Sequence, residues 1–273
     1  MPNQILKISM DEYTALSAVN HSKLKRLAES PWHYQNPPVA KKPLADLVFG
    51  TWFHALLLEP VAFYERYLEG PSINKNNGEW KKRVAMAAEN GQEMIDGNDW
   101  SRLHHMRQAV LNDPYTAPLF EGGQAEQTLL FDDPRTNLAC KARIDWVPEK
   151  FPNVLVDLKT TRSGSPRSLQ KSCWEYSYHT QDAFYSLAWE QLTGEAPDFL
   201  FVFVEKPDDP EDTPLPPQLY QLELSYRELG QRQVRQWLNE LNAYLRDYGD
   251  QPWPNYTSGL TSLSAPAWAK LGD

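Results

Sequence analysis

Val154-Leu155-Val156-Asp157-Leu158-Lys159-Thr160 decides the reading of this chain. A short apolar, β-branched run of this kind reads as a buried strand, here ending in a carboxylate and an amine. Side chains two apart on a strand share a face, so Asp157 and Lys159 project together while Leu158 turns into the core. Twelve residues earlier lies Asp145, at the end of another strand-like run, Leu138 to Trp146. Two aspartates and a lysine at strand ends are the groups that metal-dependent phosphodiester chemistry requires. The carboxylates hold a hard cation, and the amine serves the attacking water or the developing negative charge.

Around this strand the period changes along the chain. Ala125 to Phe131 and Leu138 to Val147 read as strands joined by Asp132-Asp133-Pro134-Arg135-Thr136-Asn137, a strong turn signal. Tyr178 to Thr193 reads as an amphipathic helix, Phe199 to Val204 and Gln218 to Leu224 as strands, and Leu229 to Tyr248 as a long closing helix. The first third is helical in pattern. Asn20 or Ser22 caps a helix running to Glu29, and Ser30-Pro31 opens the next turn. Leu44 to Leu58 is apolar enough for a buried helix, and Pro60 starts a short one. Gly70 to Gly78 reads as a loop, and Glu79 to Asp96 and Asp99 to Asn112 as helices separated by Gly97-Asn98. The tail after Gln251 is irregular. The whole, 1–273, is expected to be one α/β domain with helices leading and a mixed sheet in the middle.

The bulk numbers narrow the class. In 273 residues, 41% are hydrophobic and ten are tryptophan, enough for a sizeable core. No apolar run is long enough for a membrane span, and Met1 to Met10 lacks a secretory pattern, so a cytoplasmic protein is expected. Two cysteines, Cys140 and Cys173, fit a reducing compartment and are too few for a four-cysteine zinc or iron–sulfur site. The net charge of −9 argues against indiscriminate binding of nucleic acid. Its distribution says more. Glu205 to Asp212 holds five acids against one lysine, whereas Leu158 to Trp174 carries Lys159, Arg162, Arg167 and Lys171 with no acid. A local asymmetry of this kind suits a polyanionic partner.

Five pieces of sequence come in a meaningful order: Gly50-Thr51-Trp52-Phe53-His54 on the apolar helix, Glu126, Asp145, Asp157-Leu158-Lys159, and Gln181-Asp182-Ala183-Phe184-Tyr185. Residues four apart on a helix share a face, so Gly50 pairs with His54 and Gln181 with Tyr185. Each piece alone has a plainer reading: a surface ion pair for Asp157 and Lys159, a turn cap for Asp145, a core histidine for His54, a solvent-facing strand residue for Glu126. Together the pattern resembles the PD-(D/E)xK nuclease superfamily in its RecB/RecE-like branch. The likeness is greatest to the nuclease domain of exodeoxyribonuclease VIII, through Ser30 to Tyr34, Phe49 to Pro60 and Tyr178 to Tyr185. It spans residues 8 to 205. The proline that precedes the first aspartate in the family is replaced by Ile144.

The resemblance implies a mixed β-sheet flanked by helices, with the active site at strand ends. It implies magnesium- or manganese-dependent digestion of duplex DNA from an end, 5′ to 3′. By position, His54, Glu126, Asp145, Asp157 and the backbone carbonyl of Leu158 become metal ligands. Lys159 becomes the group that orients water, and Gln181 and Tyr185 support the site. It further implies a ring-shaped homo-oligomer and a single-strand annealing partner of the RecT kind, in phage or prophage recombination. Lys141 and Arg143 share the strand face of Asp145 and are expected to meet the DNA backbone. Arg162, Arg167 and Lys171, read as a basic loop, are expected to do the same. Lys23, Lys25 and Arg26 are candidates for the DNA terminus. Two rival readings stand beside this one: an endonuclease on the same fold, and a non-catalytic DNA-binding protein.

Overall fold

The structure, a computed structural model, describes residues 3–38, 45–257 and 259–266. In chain order the elements are β1 (Gln4–Leu6), α1 (Met10–Ala15), α2 (His21–Leu24) running into a 3-10 turn (Lys25–Ala28), α3 (Pro31–Gln35), α4 (Ala45–Leu58), α5 (Pro60–Arg66), β2 (Tyr67–Glu69), α6 (Gly78–Glu89), β3 (Glu93–Ile95) and α7 (Gly97–Asn112). A 3-10 turn (Ala117–Leu119) then leads to β4 (Gly123–Asp132), β5 (Ala139–Pro148), β6 (Val154–Thr161), α8 (Pro166–Glu175), α9 (Tyr178–Thr193), β7 (Asp198–Glu205), β8 (Gln218–Tyr220) and α10 (Leu224–Asp247).

The main sheet has the order β1-β4-β5-β6-β7-β8. All neighbours are antiparallel except β6 and β7, which run parallel. A parallel pair needs a crossover, and α8 and α9 supply it. The expected mixed sheet flanked by helices is therefore present.

Two hydrophobic clusters cover the two faces of the sheet. On β7, Phe199, Phe201 and Phe203 face a cluster with Phe184 and Ala188 of α9 and Val234, Trp237 and Leu238 of α10. Val202 and Val204 face the other, with Phe53, Leu56 and Leu57 of α4 and Leu103, Met106 and Val110 of α7. This is the period-two alternation of a strand buried on both sides. The β4–β5 hairpin breaks the rule in one place. Leu129, Phe131, Ala142 and Ile144 pack with α9, yet Ala125 and Trp146, of the same parity, pack with α4. The changeover falls at Glu126, which sits between the pairs Ala125–Trp146 and Gln127–Ile144 and has φ 57. Left-handed backbone in a non-glycine strand residue is strained and clusters at functional sites. Across the hairpin β5 and β6 share only the pair Trp146–Val156. The sheet thus opens where Asp145 and Asp157 lie.

Gly230 allows α10 to lie main chain against main chain on α9: a Cβ there would fall 2.0 Å from the His179 carbonyl oxygen.

Several boundaries differ from the sequence expectation. The helix expected from Glu79 to Asp96 ends at Glu89, and Glu93–Ile95 pairs in parallel with Tyr67–Glu69. Gly97 and Asn98 do not separate two helices; they form the first turn of α7, which Asp96 caps by accepting from the Asp99 amide. The helix expected to run to Glu29 tightens into a 3-10 turn after Leu24. The strand expected to Leu224 stops at Tyr220, and the closing helix begins at Leu224 rather than Leu229. Of the basic residues read as a loop, Arg162 is in one, but Arg167 and Lys171 lie on the helix α8, started by Ser165, whose hydroxyl accepts from the Ser168 amide, with Pro166 at its first position. Leu44 lies outside the described residues.

Candidate active site

His54 reaches the sheet because α4 can lie close to β6. A Cβ on Gly50 would fall 3.2 Å from Thr160 Oγ1, so a side chain there would crowd the strand. One turn on, His54 Nδ1 stands 3.7 Å from Asp145 Oδ2. Glu126 completes the group: one ligand-capable atom from each of His54, Glu126 and Asp145 lies within 4.8 Å of the other two. The left-handed turn of the chain at Glu126 brings its carboxylate there. Arg143, two residues before Asp145, fixes that carboxylate with Nε at 2.5 Å from Glu126 Oε2.

Leu158 ties this group to its neighbours through the main chain. Its amide donates to Asp145 Oδ2 at 2.9 Å. Its side chain is buried on the α4 face, as the strand period requires. On either side of it, Asp157 and Lys159 meet, with Nζ at 2.5 Å from Oδ2. Gln181 Nε2 donates to the other oxygen of Asp157 at 2.6 Å. Asp157 is 2% exposed and belongs to this pair rather than to the trio. The amine of Lys159 also lies 4.9 Å over the ring of Tyr178, a residue the sequence reading did not assign a role.

Burial sets the charge states. It pushes Asp145 up to about 6, with the like charge of Glu126 adding and Lys159 opposing. It pushes Asp157 up to about 6 as well, with Lys159 opposing and Asp145 adding. His54 is pulled below its ordinary value by burial and by Lys159, so its imidazole is neutral and keeps a lone pair. Burial also acts to lower Lys159, but the carboxylates of Asp157 and Asp145 outweigh it and hold the amine above its ordinary value. Lys159 is therefore an ammonium at neutral pH.

The donor set suits a divalent cation: a neutral imidazole and two carboxylates, in a site whose carboxylates outnumber its cations. These groups line a cleft of about 960 Å³ walled by α1, α4, α5 and the ends of β4 to β6. Tyr185 and Tyr178 line it from α9. His21, also unassigned from sequence, lines it too, with Nε2 2.9 Å from Thr180 Oγ1. Burial, with Lys25 and Lys159 adding, pulls His21 down to about 3.

The expected basic contacts divide. Lys141 is not available to DNA: it is buried, and its ammonium donates to the carbonyls of Tyr13 at 2.6 Å and Leu16 at 2.8 Å. The strand face it was expected to offer is covered by α1. Arg143 lines the cleft but spends its guanidinium on Glu126, the Ile8 carbonyl and Thr128. Arg162 is exposed and paired with Asp46. Arg167 is exposed, and exposed Lys171 faces Glu175 at 3.5 Å, both on α8. The ammonium of Lys23 lies 4.9 Å over the Tyr34 ring, and Lys25 Nζ is 3.5 Å from the Tyr176 carbonyl oxygen. Arg26 keeps one buried guanidinium nitrogen without a hydrogen-bond partner. Cys140 and Cys173 are both buried free thiols. Among the described residues no helix is long and apolar enough to cross a membrane.

Comparison with known proteins agrees with this geometry. Residues 20–259 match the family described as a PDDEXK-like domain of unknown function. A candidate exonuclease from Eubacterium rectale has a similar solved structure, with a TM-score of 0.62 over 96% of each chain at 13% identity. A search of curated proteins gives no match.

Proposed function

The chain belongs to the PDDEXK-like family, and on that footing we propose that it is a magnesium-dependent deoxyribonuclease that digests duplex DNA from its ends, 5′ to 3′, leaving a 3′ single strand. One observation carries the reading. The His54–Glu126–Asp145 trio and the Asp157–Lys159 pair meet at a single main-chain unit, Leu158, at the floor of an open cleft.

His54, Glu126, Asp145 and the Leu158 carbonyl would hold the ion. Magnesium, or manganese in its place, supplies a polarised water and charge neutralisation at the phosphate when bound. The rest is the work of the chain. Asp157, held by Gln181, fixes the Lys159 ammonium beside the phosphate, where it stabilises negative charge as the bond to water forms. The Tyr178 ring beneath the ammonium restricts where it can swing. Arg143 keeps Glu126 turned inward. The likeness to the RecE-like branch extends the proposal to a ring of identical subunits and to transfer of the remaining strand to an annealing protein.

The test is a set of linear duplexes labelled at either end, beside the same DNA as a covalently closed circle, with magnesium or with chelator. The expected result is magnesium-dependent loss of the 5′ label with the circle spared, and none of it with Asp157→Ala. A cut circle makes the protein an endonuclease. Binding without cleavage under magnesium or manganese makes it a non-catalytic DNA-binding protein.

A further inference from the structure

Two aromatic rings stand out of the surface at the end of α8. Trp174 and Tyr176 are each 57% exposed. Each is backed from below by another ring. Trp174 stacks on His179 at 5.3 Å and 6°, and His179 on Tyr226 at 4.7 Å and 17°. Tyr176 stacks on Tyr178 at 5.8 Å and 27°, and Tyr178 on Phe201 of β7 at 5.6 Å and 26°. The two rows end in different places. The first runs away to α10. The second passes through Tyr178, whose ring carries the Lys159 ammonium and whose side chain lines the cleft. Tyr176 is thus one ring beyond the group that faces the reacting phosphate.

The junction that presents Tyr176 is well fixed. Ser177 follows it in the left-handed region, φ 61, so the chain turns sharply between α8 and α9 and leaves the ring outside both helices. Lys25 Nζ lies 3.5 Å from the Tyr176 carbonyl oxygen. The stretch Leu158 to Trp174 that leads here has four cations and no acid. A rigid, exposed ring with Lys25 at its carbonyl, next to a phosphodiester site, matches what unpaired nucleotides need. Every base has a π-face, and the flanking phosphates need positive charge. A base inside a duplex has both faces occupied by its neighbours and cannot use such a ring.

We propose that Tyr176 is a stacking platform for an unpaired nucleotide next to the scissile phosphate, so that the preferred substrate of this site is a DNA end carrying or yielding a single-stranded segment. This rests on the nuclease reading of the cleft. Base stacking on an aromatic ring is worth about tenfold in affinity per base.

The test uses the full chain as Asp145→Asn, which binds without cutting, and duplexes that end blunt or in a short single-stranded tail containing 2-aminopurine. The tailed duplex should bind about tenfold tighter than the blunt one, with quenched 2-aminopurine fluorescence. Adding Tyr176→Ala should erase both the preference and the quench, Tyr176→Phe should keep both, and Trp174→Ala, equally exposed but off the Lys159 row, should keep both. A tail preference unchanged in Tyr176→Ala overturns the platform, and so does an equal loss in Trp174→Ala. A shift in sedimentation of Tyr176→Ala with the tail preference intact makes the ring a self-association surface instead. Cleavage by the otherwise wild-type chain is scored separately. If it cuts DNA while Tyr176→Ala changes nothing, the platform fails and the nuclease reading survives. If it cuts nothing while the quench depends on Tyr176, the reverse holds.

Discussion

The β4–β5 hairpin carries a carboxylate at each end, Asp133 buried and Asp145 partly buried, and the two are treated in opposite ways. At the turn, Asp133 accepts from the Thr136 amide at 2.9 Å and the Thr136 hydroxyl at 2.6 Å, and it faces Arg235 of α10 at 2.9 Å. At the other end, Asp145 receives one amide, from Leu158, and looks at a neutral imidazole and a second carboxylate. Asp133 is an architectural group, with its charge met by donors inside the fold. Asp145 is left short, and burial pushes it up to about 6. A buried carboxylate short of donors destabilises its own fold unless something external compensates. The contrast therefore separates a residue that serves the structure from one the structure holds in readiness.

The sharpest way to break the comparison is to remove charge without changing shape. Asp145→Asn and Asp157→Asn should each lower cleavage on the order of 10³-fold, read by single-turnover release of label. Asp145→Asn should raise, not lower, the thermal midpoint of the metal-free protein at pH 8, whereas Asp157→Asn also strands the buried Lys159 ammonium, which outweighs that gain and lowers it. The sign follows from the direction of the shift. Both acids are held above the ordinary value of 3.8, at about 6, so the folded state favours the protonated form. Their contribution to stability is lost as pH rises from the ordinary value through about 6, and the amides do not titrate. A fall in midpoint for Asp145→Asn would show that its carboxylate is structural after all.

Asp133→Ala should do the reverse. It strands the Arg235 guanidinium and opens the turn, at a cost of about 3–5 kcal/mol in denaturant unfolding, while cleavage per folded molecule stays near wild type. The smallest effect comes from the ion itself. Manganese should stabilise the wild-type protein at pH 8 by about 2.7 kcal/mol when present at a hundred times its dissociation constant. That gain should vanish as pH falls through about 6, because protons compete for the same oxygens. It should be absent in Asp145→Asn and retained in Asp133→Ala, which a thermal-shift series would resolve.

Much of this was legible in the sequence, and the exceptions have physical causes. β4, β5, β6 and α9 were readable because long periodic segments declare their faces, and the Asp132-to-Asn137 turn fixed the hairpin. β1, β2 and β3 have three residues each, too few to show any period. β3 vanished into a helix reading because Glu93-Met94-Ile95 continues a helix-like composition. α8 was missed although Ser165-Pro166 signals a helix start, since Ser163-Gly164 before it reads as loop. In the site, Asp157 and Lys159 were placed by strand spacing and Asp145 by its strand end, whereas His54 and Glu126 came from the resemblance alone. Lys141 was misassigned because spacing gives the face of a strand and not what covers it; here α1 does. Tyr178 carried no spacing signal at all, since its role arises from an ammonium that approaches from another element.

The bare contact at Gly230 has a consequence for anyone mapping damaging substitutions in this chain. Because α10 presses its backbone directly onto α9, with the His179 carbonyl at the point of touch, α9 has no cushion against which to adjust. A single methyl group at position 230 would act as a wedge, levering the helix that carries Gln181 and swinging its carboxamide off Asp157. The lesion would sit on a distant helix and yet imitate the loss of a reacting group.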